Sequence, residues 1–408
     1  MATTSHDLPW EIITDILCRL PLKDVLRYRS VSTSWCSLID GRDFVKLHFN
    51  HSPESTSQLG FIFGGSNDLC WAAFSDLTSF IRLTYPIGDD KGITVAGSSN
   101  GLLAVMNSKG DAAIWNPFTR SRRYISLPVS DHFGSFPFHS FEILLTGFGH
   151  DPITEDYKFL LMIEFNGIMD HSFTREVKVY SLKARKWKRI DHFPSNYTYL
   201  RNNGFLFGNA LHYWMVKVNP DNWDTILVFD LVTEKCQEMG LPDYNGLETC
   251  SCLKLVDLRG SFCAVMVPNY DPSLEISERV DVWEMKQYGV KESWTKLFSV
   301  ATSIATGPFN YLVPIAYLQN GDQVLLEQDG KKLILFYMKT KRVMKRVGSS
   351  FPYICDTIVF VKSLVGLDSV QTTSWNSKQG KNINVLGKKK QSGKKRDDFL
   401  SKGFKLVL

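Results

Sequence analysis

The stretch DLPWEIITDILCRLPLKDVLRYRSVSTSWCSLI, residues 7–39, organises the whole chain because it encodes three short amphipathic helices in succession. Pro9 suits a first helical position, where its missing N–H costs nothing, and Glu11 puts a negative charge in the first turn. The apolar residues of this first helix recur at helical spacing: Ile12, Ile13, Ile16, Leu17 and Leu20. We expect Pro21 to end the helix.

A second helix follows, in which Val25 and Leu26 are apolar and the basic residues face water. Ser32 is a suitable N-cap for a third helix, which carries Trp35 and Leu38. Three such helices in about 35 residues are too few to bury all of these side chains among themselves. The remaining apolar surface either docks on helices of another protein or packs on the next domain of this chain, and the pattern leaves both alternatives open.

The same run resembles an F-box. The matching strings are LPWEI at 8–12, ILCRLP at 16–21, LRYRSVS at 26–32, Trp35, and the Leu38–Ile39 pair. In that family the helices dock on a Skp-type adaptor, which attaches the protein to a cullin–RING ubiquitin ligase. The resemblance implies that nine positions contact the adaptor: Leu8, Pro9, Ile12, Ile16, Leu20, Pro21, Leu26, Val31 and Trp35.

The composition is that of an ordinary globular protein. The 408 residues suffice for one large domain or two or three smaller ones, and 44% of them are hydrophobic. No apolar run approaches the ~18–20 residues of a membrane helix. The start MATTSHDLP also lacks the basic and apolar regions of a secretory signal. We therefore expect a soluble intracellular protein that binds no membrane.

The eight cysteines predict neither a disulfide framework nor a zinc site. Only Cys250 and Cys252 lie close together in sequence, and no second pair follows at zinc-finger spacing. The nine histidines are scattered, with no HExxH motif, and no phosphate-binding glycine loop is present. We therefore expect buried free thiols in a reducing compartment, and no metal or other cofactor.

The net charge of +5 comes from the C-terminal end of the chain. Residues 368–408 hold ten Lys or Arg and three Asp, a charge of +7, so the other 367 residues carry −2. A body this close to neutrality differs from a nucleic-acid-binding domain, which concentrates positive charge on a folded face. The basic run is either a nuclear-import signal or a solvated, disordered tail, and we expect the protein in the cytoplasm, the nucleus or both. The candidate import residues are Lys388, Lys389, Lys390, Lys394, Lys395 and Arg396.

After a polar, breaker-rich linker at residues 50–58, helical periodicity gives way to short apolar or alternating runs between turn signals. Five of these runs are copies of one unit, in which an aromatic-bearing strand is followed by a turn and a further strand. The aromatic residues that mark the copies are Trp115, Tyr180, Phe229, Trp283 and Tyr337. Their intervals of 65, 49, 54 and 54 residues are close to the ~50 residues of one four-stranded propeller blade.

Residues 59–367 therefore predict a β-propeller of about six blades, because one blade cannot bury both its faces without neighbours. A pair of packed sheets is the alternative, since it needs no repeat. Several strings are similar to the F-box-associated, kelch-like domain of plant F-box proteins, a group that includes S-locus F-box proteins and regulators of immune-receptor turnover. These strings are GLL at 101–103, WNP at 115–117, GFGHDP at 147–152, DYK at 156–158 and VWEM at 282–285.

One pattern invites an enzymatic interpretation, since residues 97–101 read GSSNG, the G-x-S-x-G of a hydrolase nucleophile elbow. An elbow needs a helix after it, whereas LLAVM at 102–106 is typical of a strand, so a β-turn is favoured. We expect His150 to lie in a turn with a loop role, and acidic pairs such as Glu155–Asp156 to be solvated. No set of nucleophile, base and metal ligand can be assembled from the sequence.

Together these inferences predict an α+β multidomain chain. Its expected parts are a helical F-box at 1–49, a linker at 50–58, a propeller-like domain at 59–367 and a basic, disordered tail at 368–408. The resemblance implies a non-catalytic substrate-recognition subunit of an SCF-type ubiquitin ligase. Its F-box would bind the adaptor, and through it a cullin and a RING subunit, while the propeller recruits a target protein for ubiquitination and proteasomal degradation. The alternative is a stand-alone propeller that binds a protein or glycan without a ligase role.

Overall fold

The computed structural model describes most of the chain between residues 8 and 367. The described residues are 8–51, 58–64, 69–87, 93–107, 110–128, 138–167, 173–194, 197–198, 202–217, 224–243, 250–268, 278–303, 306–318, 321–347 and 355–367. The first of these ranges contains helices α1 (Trp10–Cys18), α2 (Leu22–Tyr28), α3 (Thr33–Ile39) and α4 (Arg42–His51). The fourth helix, α4, follows the three that residues 7–39 predicted.

The strands that follow form six sheets, which we number as blades 1–6. Blade 1 combines β1 (Leu59–Gly64), β2 (Leu69–Ala73) and β3 (Asp76–Leu83) with the last strand, β26 (Cys355–Val361). Blade 2 contains β4 (Thr94–Ser99), β5 (Leu102–Met106), β6 (Ala112–Trp115) and β7 (Arg122–Ile125). Blade 3 contains β8 (Phe138–Asp151), β9 (Asp156–Gly167), β10 (Phe173–Ser181) and β11 (Lys186–Ile190).

Blade 4 contains β12 (Tyr197–Thr198), β14 (Phe205–Phe207), β15 (Ala210–Lys217), β16 (Asp224–Asp230) and β17 (Cys236–Met239). Between them, β13 (Asn202–Asn203) pairs in parallel with β8 of blade 3. Blade 5 contains β18 (Cys250–Leu258), β19 (Ser261–Pro268), β20 (Arg279–Met285) and β21 (Trp294–Ala301). Blade 6 contains β22 (Leu312–Tyr317), β23 (Gln323–Gln328), β24 (Lys332–Tyr337) and β25 (Arg342–Val347).

The blades close into a ring, and the expected six-bladed propeller is confirmed. The inner strand of each blade packs on the inner strand of the next, from β26 through β4 and β8 to β18 and β22, and back to β26. Blade 4 takes its place in this series through β14 and β15. The ring is joined within blade 1, where β26 runs antiparallel to β1 and pairs Leu59 with Val361. Both ends of the domain therefore contribute to one sheet.

The repeat found in the sequence corresponds to the third strand of each blade. Trp115 lies in β6, Tyr180 in β10, Phe229 in β16, Trp283 in β20 and Tyr337 in β24. Large side chains at this position fill the space between neighbouring sheets, as the fully buried Phe229 does between blades 3 and 4. The equivalent strand of blade 1 is β2, which carries the buried Trp71.

The turn between β4 and β5 explains the G-x-S-x-G string. Asn100 and Gly101 have φ angles of 51° and 80°, the two positive values that a type I′ hairpin turn requires. Ser98 and Ser99 end the preceding strand and pair with β5. A strand follows the turn where an elbow would need a helix, so the β-turn interpretation is confirmed.

The acidic pair after β8 was expected to be solvated, and for Asp156 this is wrong. Asp156 is buried, and its carboxylate accepts hydrogen bonds from the Ser181 hydroxyl and, at 2.8 Å, from the Lys183 amide. The cause is the turn between β10 and β11, which packs over the start of β9 and uses the carboxylate as its acceptor. Glu155 instead faces the helical domain.

Candidate adaptor-docking site

The helices sit on one face of the propeller, which we call the underside. This face carries the turns that join β4 to β5, β6 to β7 and β8 to β9. From α4, Lys46 forms an ion pair of 2.6 Å with Glu155, and Arg42 also contacts that carboxylate. Phe118, from the turn after β6, packs on the apolar core of the helices. The helical domain is therefore in direct contact with blades 2 and 3.

Helix α1 presents two apolar sides. Leu17 and Cys18 are buried, whereas Ile12 and Ile16, one turn apart, are each about half exposed at 46% and 49%. Leu8, just before the helix, is 58% exposed. The sequence predicted Pro9 at the first helical position, but the helix begins at Trp10 and Pro9 occupies the cap.

The corner between α1 and α2 is fixed from behind by α4. The buried His48 lies with Nε2 3.0 Å from the carbonyl oxygen of Leu20, to which that nitrogen donates. Burial lowers the pKa of His48, so the neutral ring is the stable form. Leu20 and Leu26 are half-buried, and Pro21 between them is exposed. The corner thus leaves the edges of three apolar residues accessible.

Helix α3 completes the exposed surface. The Ser32 hydroxyl accepts a hydrogen bond from the Trp35 amide at 3.1 Å, which confirms Ser32 as the N-cap. Trp35 is half-buried and meets the ring of Tyr28 edge-on, with 5.9 Å between centroids. Val31, before the cap, is 60% exposed.

The two alternatives for the surplus apolar surface each describe a different side of the helices. One side packs on the chain's own propeller, and its buried members are Leu17, Leu22, Val25, Ile39, Phe44 and Val45, together with Leu364 from beyond the last strand. The other side keeps apolar side chains in water, namely Leu8, Ile12, Ile16, Tyr28 and Val31. Clustered exposed apolar residues of this kind are typical of a protein-binding surface.

The remainder of the described chain offers little chemistry. Its His, Cys, Asp and Glu residues form no group of three that could hold a metal ion. Among the helices that are described, none has the length and apolarity needed to span a membrane. The five cysteines whose side chains are described have free thiols, and those of Cys250, Cys252 and Cys355 lie outside that description. The basic run at 388–396 lies outside the described residues as well.

Comparison with known families decides what the helices are. A family profile described as the F-box domain matches residues 5–47, and one described as the F-box associated beta propeller domain matches residues 78–368. The chain is an F-box protein. The helical domain is its F-box, and the ring of blades is its F-box-associated propeller.

Curated plant proteins share this organisation. F-box protein CPR1 of Arabidopsis thaliana is 32% identical over 98% of this chain and 99% of its own length. A second F-box protein of the same plant is 26% identical over 98% of this chain and 100% of its own length. An Arabidopsis thaliana F-box/kelch-repeat protein is 27% identical over 88% of this chain and 96% of its own length. Proteins with an F-box belong to SCF complexes in general as adaptor subunits, and this F-box protein fits that role in general terms.

Sequence reasoning missed the residues that join the F-box to the propeller. Leu364 belongs to the F-box core but lies more than 300 residues from it in sequence. Phe118 is one residue of a repeated turn, and no local pattern sets it apart from its equivalents. Tyr28 is not among the predicted adaptor-binding residues, but its exposed ring adjoins one of them, Trp35.

Proposed function

We propose that this F-box protein is the substrate-recognition subunit of an SCF-type cullin–RING ubiquitin ligase and has no active site of its own. The F-box binds a Skp-type adaptor, and the propeller holds a target protein. The target's lysines then lie close to a ubiquitin-charged conjugating enzyme, so the rate of transfer rises through effective concentration. The modified target is degraded by the proteasome.

The observation that carries the proposal is the exposed apolar side of the F-box. We assign the adaptor contact to Leu8, Pro9, Ile12, Ile16, Leu20, Pro21, Leu26, Val31 and Trp35, all of which are exposed or half-buried in the free chain. Burying large apolar side chains at the centre of an interface supplies most of its binding free energy. The buried side of the same helices is occupied by the propeller and is not available to the adaptor.

We assign target recognition to the face of the propeller opposite the underside. The F-box covers turns of blades 2 and 3, so a target bound on the far face would not compete with the adaptor for space. Loops on a rigid scaffold are where recognition residues concentrate, and each blade contributes connections to that face.

Co-purification with a recombinant Skp-type adaptor tests the proposal. The full chain should retain the adaptor, and Leu8→Ala with Pro9→Ala should lose it while the far-ultraviolet circular dichroism of the β domain stays unchanged. Leu47→Ala is a matched control, because Leu47 on α4 is 43% exposed and lies outside the F-box pattern. Equal retention of the adaptor by all three proteins would refute the docking assignment and favour a stand-alone binding module.

We also propose that the protein acts in the cytoplasm, the nucleus or both, with residues 388–396 as its nuclear-import signal. A fluorescent reporter fused to residues 368–408 should concentrate in nuclei. Replacing Lys388, Lys389 and Lys390 with alanine should reduce that concentration. A reporter that stays evenly distributed would remove the nuclear assignment.

A further inference from the structure

The segment that follows the last strand lies between the F-box and blade 2. We call residues 362–367 the strap. At its start, the Lys362 amide donates to the carbonyl of Gln58, the residue just before β1, at 3.0 Å. The Lys362 ammonium lies 3.5 Å from the ring centroid of Trp71 and 4.8 Å from that of Phe118. The strap therefore begins where the chain enters the propeller.

The strap is hydrogen-bonded to both underside turns of blade 2. The Ser363 hydroxyl donates to the Asn100 carbonyl at 2.7 Å, in the turn between β4 and β5. A Cβ on Gly101 would overlap Ser363, so the two backbones lie close together. At the far end, the Leu367 amide donates to the Ser121 hydroxyl at 3.1 Å. These bonds fix the strap to the propeller along its length.

Asn116 is the central partner of the strap. Its side chain is fully buried, and Nδ2 donates to the carbonyls of Ser363 at 3.0 Å and Val365 at 2.9 Å. Its Oδ1 accepts from the amides of Phe118 and Thr119 and so caps the turn after β6. One amide side chain thus shapes its own turn with its oxygen and binds the strap with its nitrogen.

The equivalent turn of blade 4 shows what is special about Asn116. There Asp230 accepts from the amides of Val232 and Thr233 at 2.9 and 2.7 Å, the same capping pattern. The other carboxylate oxygen of Asp230 accepts from the Asn209 side-chain amide at 3.3 Å, so this turn uses two acceptors and no donor. An aspartate at position 116 would keep the turn but could not donate to two carbonyls. The choice of amide over carboxylate therefore points to the strap.

On its other side the strap enters the F-box core. Leu364 is buried in the same hydrophobic cluster as Leu17, Val25 and Phe44 of the helices. Val365 packs at the edge of that cluster and also against the core shared by blades 2 and 3. A core as small as that of the F-box gains much of its stability from such an additional side chain.

We propose that the strap, held in place by Asn116, completes the F-box core and makes the F-box and the propeller one rigid body. The functional consequence rests on the proposed function: a rigid joint fixes the direction from the adaptor-docking side of the F-box to the target-binding face of the propeller. Asn116 is in this sense a positioning residue. It touches neither the adaptor side nor the target face, and acts through the strap alone.

The decisive variant is Asn116→Asp in the full chain, with Asp230→Asn as the matched control. Asn116→Asp is isosteric, keeps the turn acceptor and places a carboxylate against two carbonyl oxygens. Asp230→Asn makes the reverse exchange in a turn without a strap. Hydrogen exchange by mass spectrometry should show α1 and α4 exchanging about tenfold faster or more in Asn116→Asp, with β20 in blade 5 unchanged. The control should leave α1 and α4 as in the wild type.

A distance measurement tests rigidity directly. Spin labels on non-natural amino acids at Ser34 in α3 and Lys186 in β11, both exposed, report the separation of the two domains. We expect one narrow distance distribution in the wild type and the control, and a broader one in Asn116→Asp. Unchanged width together with unchanged hydrogen exchange in Asn116→Asp would overturn the proposal.

Two further measurements separate the possible failures. If Asn116→Asp does not fold, Leu364→Ala replaces it, with Leu326→Ala as the control for a buried leucine remote from the F-box. F-box exchange that rises no more in Leu364→Ala than in Leu326→Ala would overturn the proposal. Adaptor binding is measured on each protein. A wild type that binds no adaptor contradicts the proposed function alone, because the exchange and distance results do not depend on the adaptor.

Discussion

Truncating Ile12 and Ile16 together should weaken adaptor binding without unfolding the F-box. The two side chains are 46% and 49% exposed, so an adaptor that covers them removes about half of each from water. Full burial of an isoleucine side chain is worth about 1.5–3 kcal/mol, so each contributes about 1 kcal/mol to binding. The double change Ile12→Ala with Ile16→Ala should therefore cost about 2 kcal/mol, which is about a 30-fold increase in Kd.

Biolayer interferometry with an immobilised Skp-type adaptor measures that Kd. Leu47→Ala, which removes an equally exposed apolar side chain from α4, should change Kd by less than about twofold. Thermal unfolding of both variants should stay within a few degrees of the wild type, because about half of each removed side chain is already in water in the free chain. A Kd for the double variant within threefold of the wild type would refute the placement of the adaptor on this side of α1.

Two further predictions concern the propeller. Burial lowers the pKa of His212 to about 4. Its Nδ1 lies 3.3 Å from the Phe205 carbonyl oxygen, and its Nε2 lies 2.5 Å from the Tyr288 hydroxyl. The neutral ring therefore donates a hydrogen bond through Nδ1 and accepts one through Nε2. This folded-state pKa lies below the ordinary value of 6.5, so the neutral ring's contribution to the free energy of unfolding is complete above pH 6.5 and is lost as the pH falls toward 4. At pH 5 the free energy of unfolding should be lower by about 2 kcal/mol. Urea unfolding at pH 7 and pH 5 should show a smaller acid loss for His212→Gln than for the wild type, and equal losses would contradict the assignment. Phe229→Ala, in the fully buried core between blades 3 and 4, should lower the free energy of unfolding in urea by about 3–5 kcal/mol. Ile153→Ala on the surface should lower it by under about 0.5 kcal/mol. A loss below about 1 kcal/mol for Phe229→Ala would contradict the packing.

The propeller was predictable where its sequence repeats. Trp115, Tyr180, Phe229 and Trp283 lie on the third strands of their blades, and each packs in the space between its own blade and the preceding one. Tyr337 lies on the corresponding strand of blade 6 but packs toward blade 1. Blade 1 escaped the repeat, and the aromatic residue of its β2, Trp71, packs toward blade 2, the following blade. The inner strand of blade 1 comes from residues 355–361, and the connection from β2 to β3 is too short for the turn that marks the other copies.

The F-box was predictable as a set of helices but not as a pair of surfaces. Ile12, Ile13, Ile16 and Leu17 are all apolar and sit within one broad stripe of α1, so their pattern does not separate the exposed members from the buried ones. The separation is made by Leu364 and Phe118, which lie on one side only. The prediction that Asp156 is solvated was wrong for a similar reason, since its hydrogen-bond partners come from a turn 25 residues further along the chain.

The closure of the ring within blade 1 has a consequence for synthesis. A ribosome releases the F-box first, but β26, which completes blade 1, is translated some 300 residues later. A chain that stops before residue 355 has an open edge on β1 and an apolar F-box side facing water. We therefore expect premature termination to yield a product that quality-control proteases distinguish from the finished protein, even though its N-terminal motif is intact.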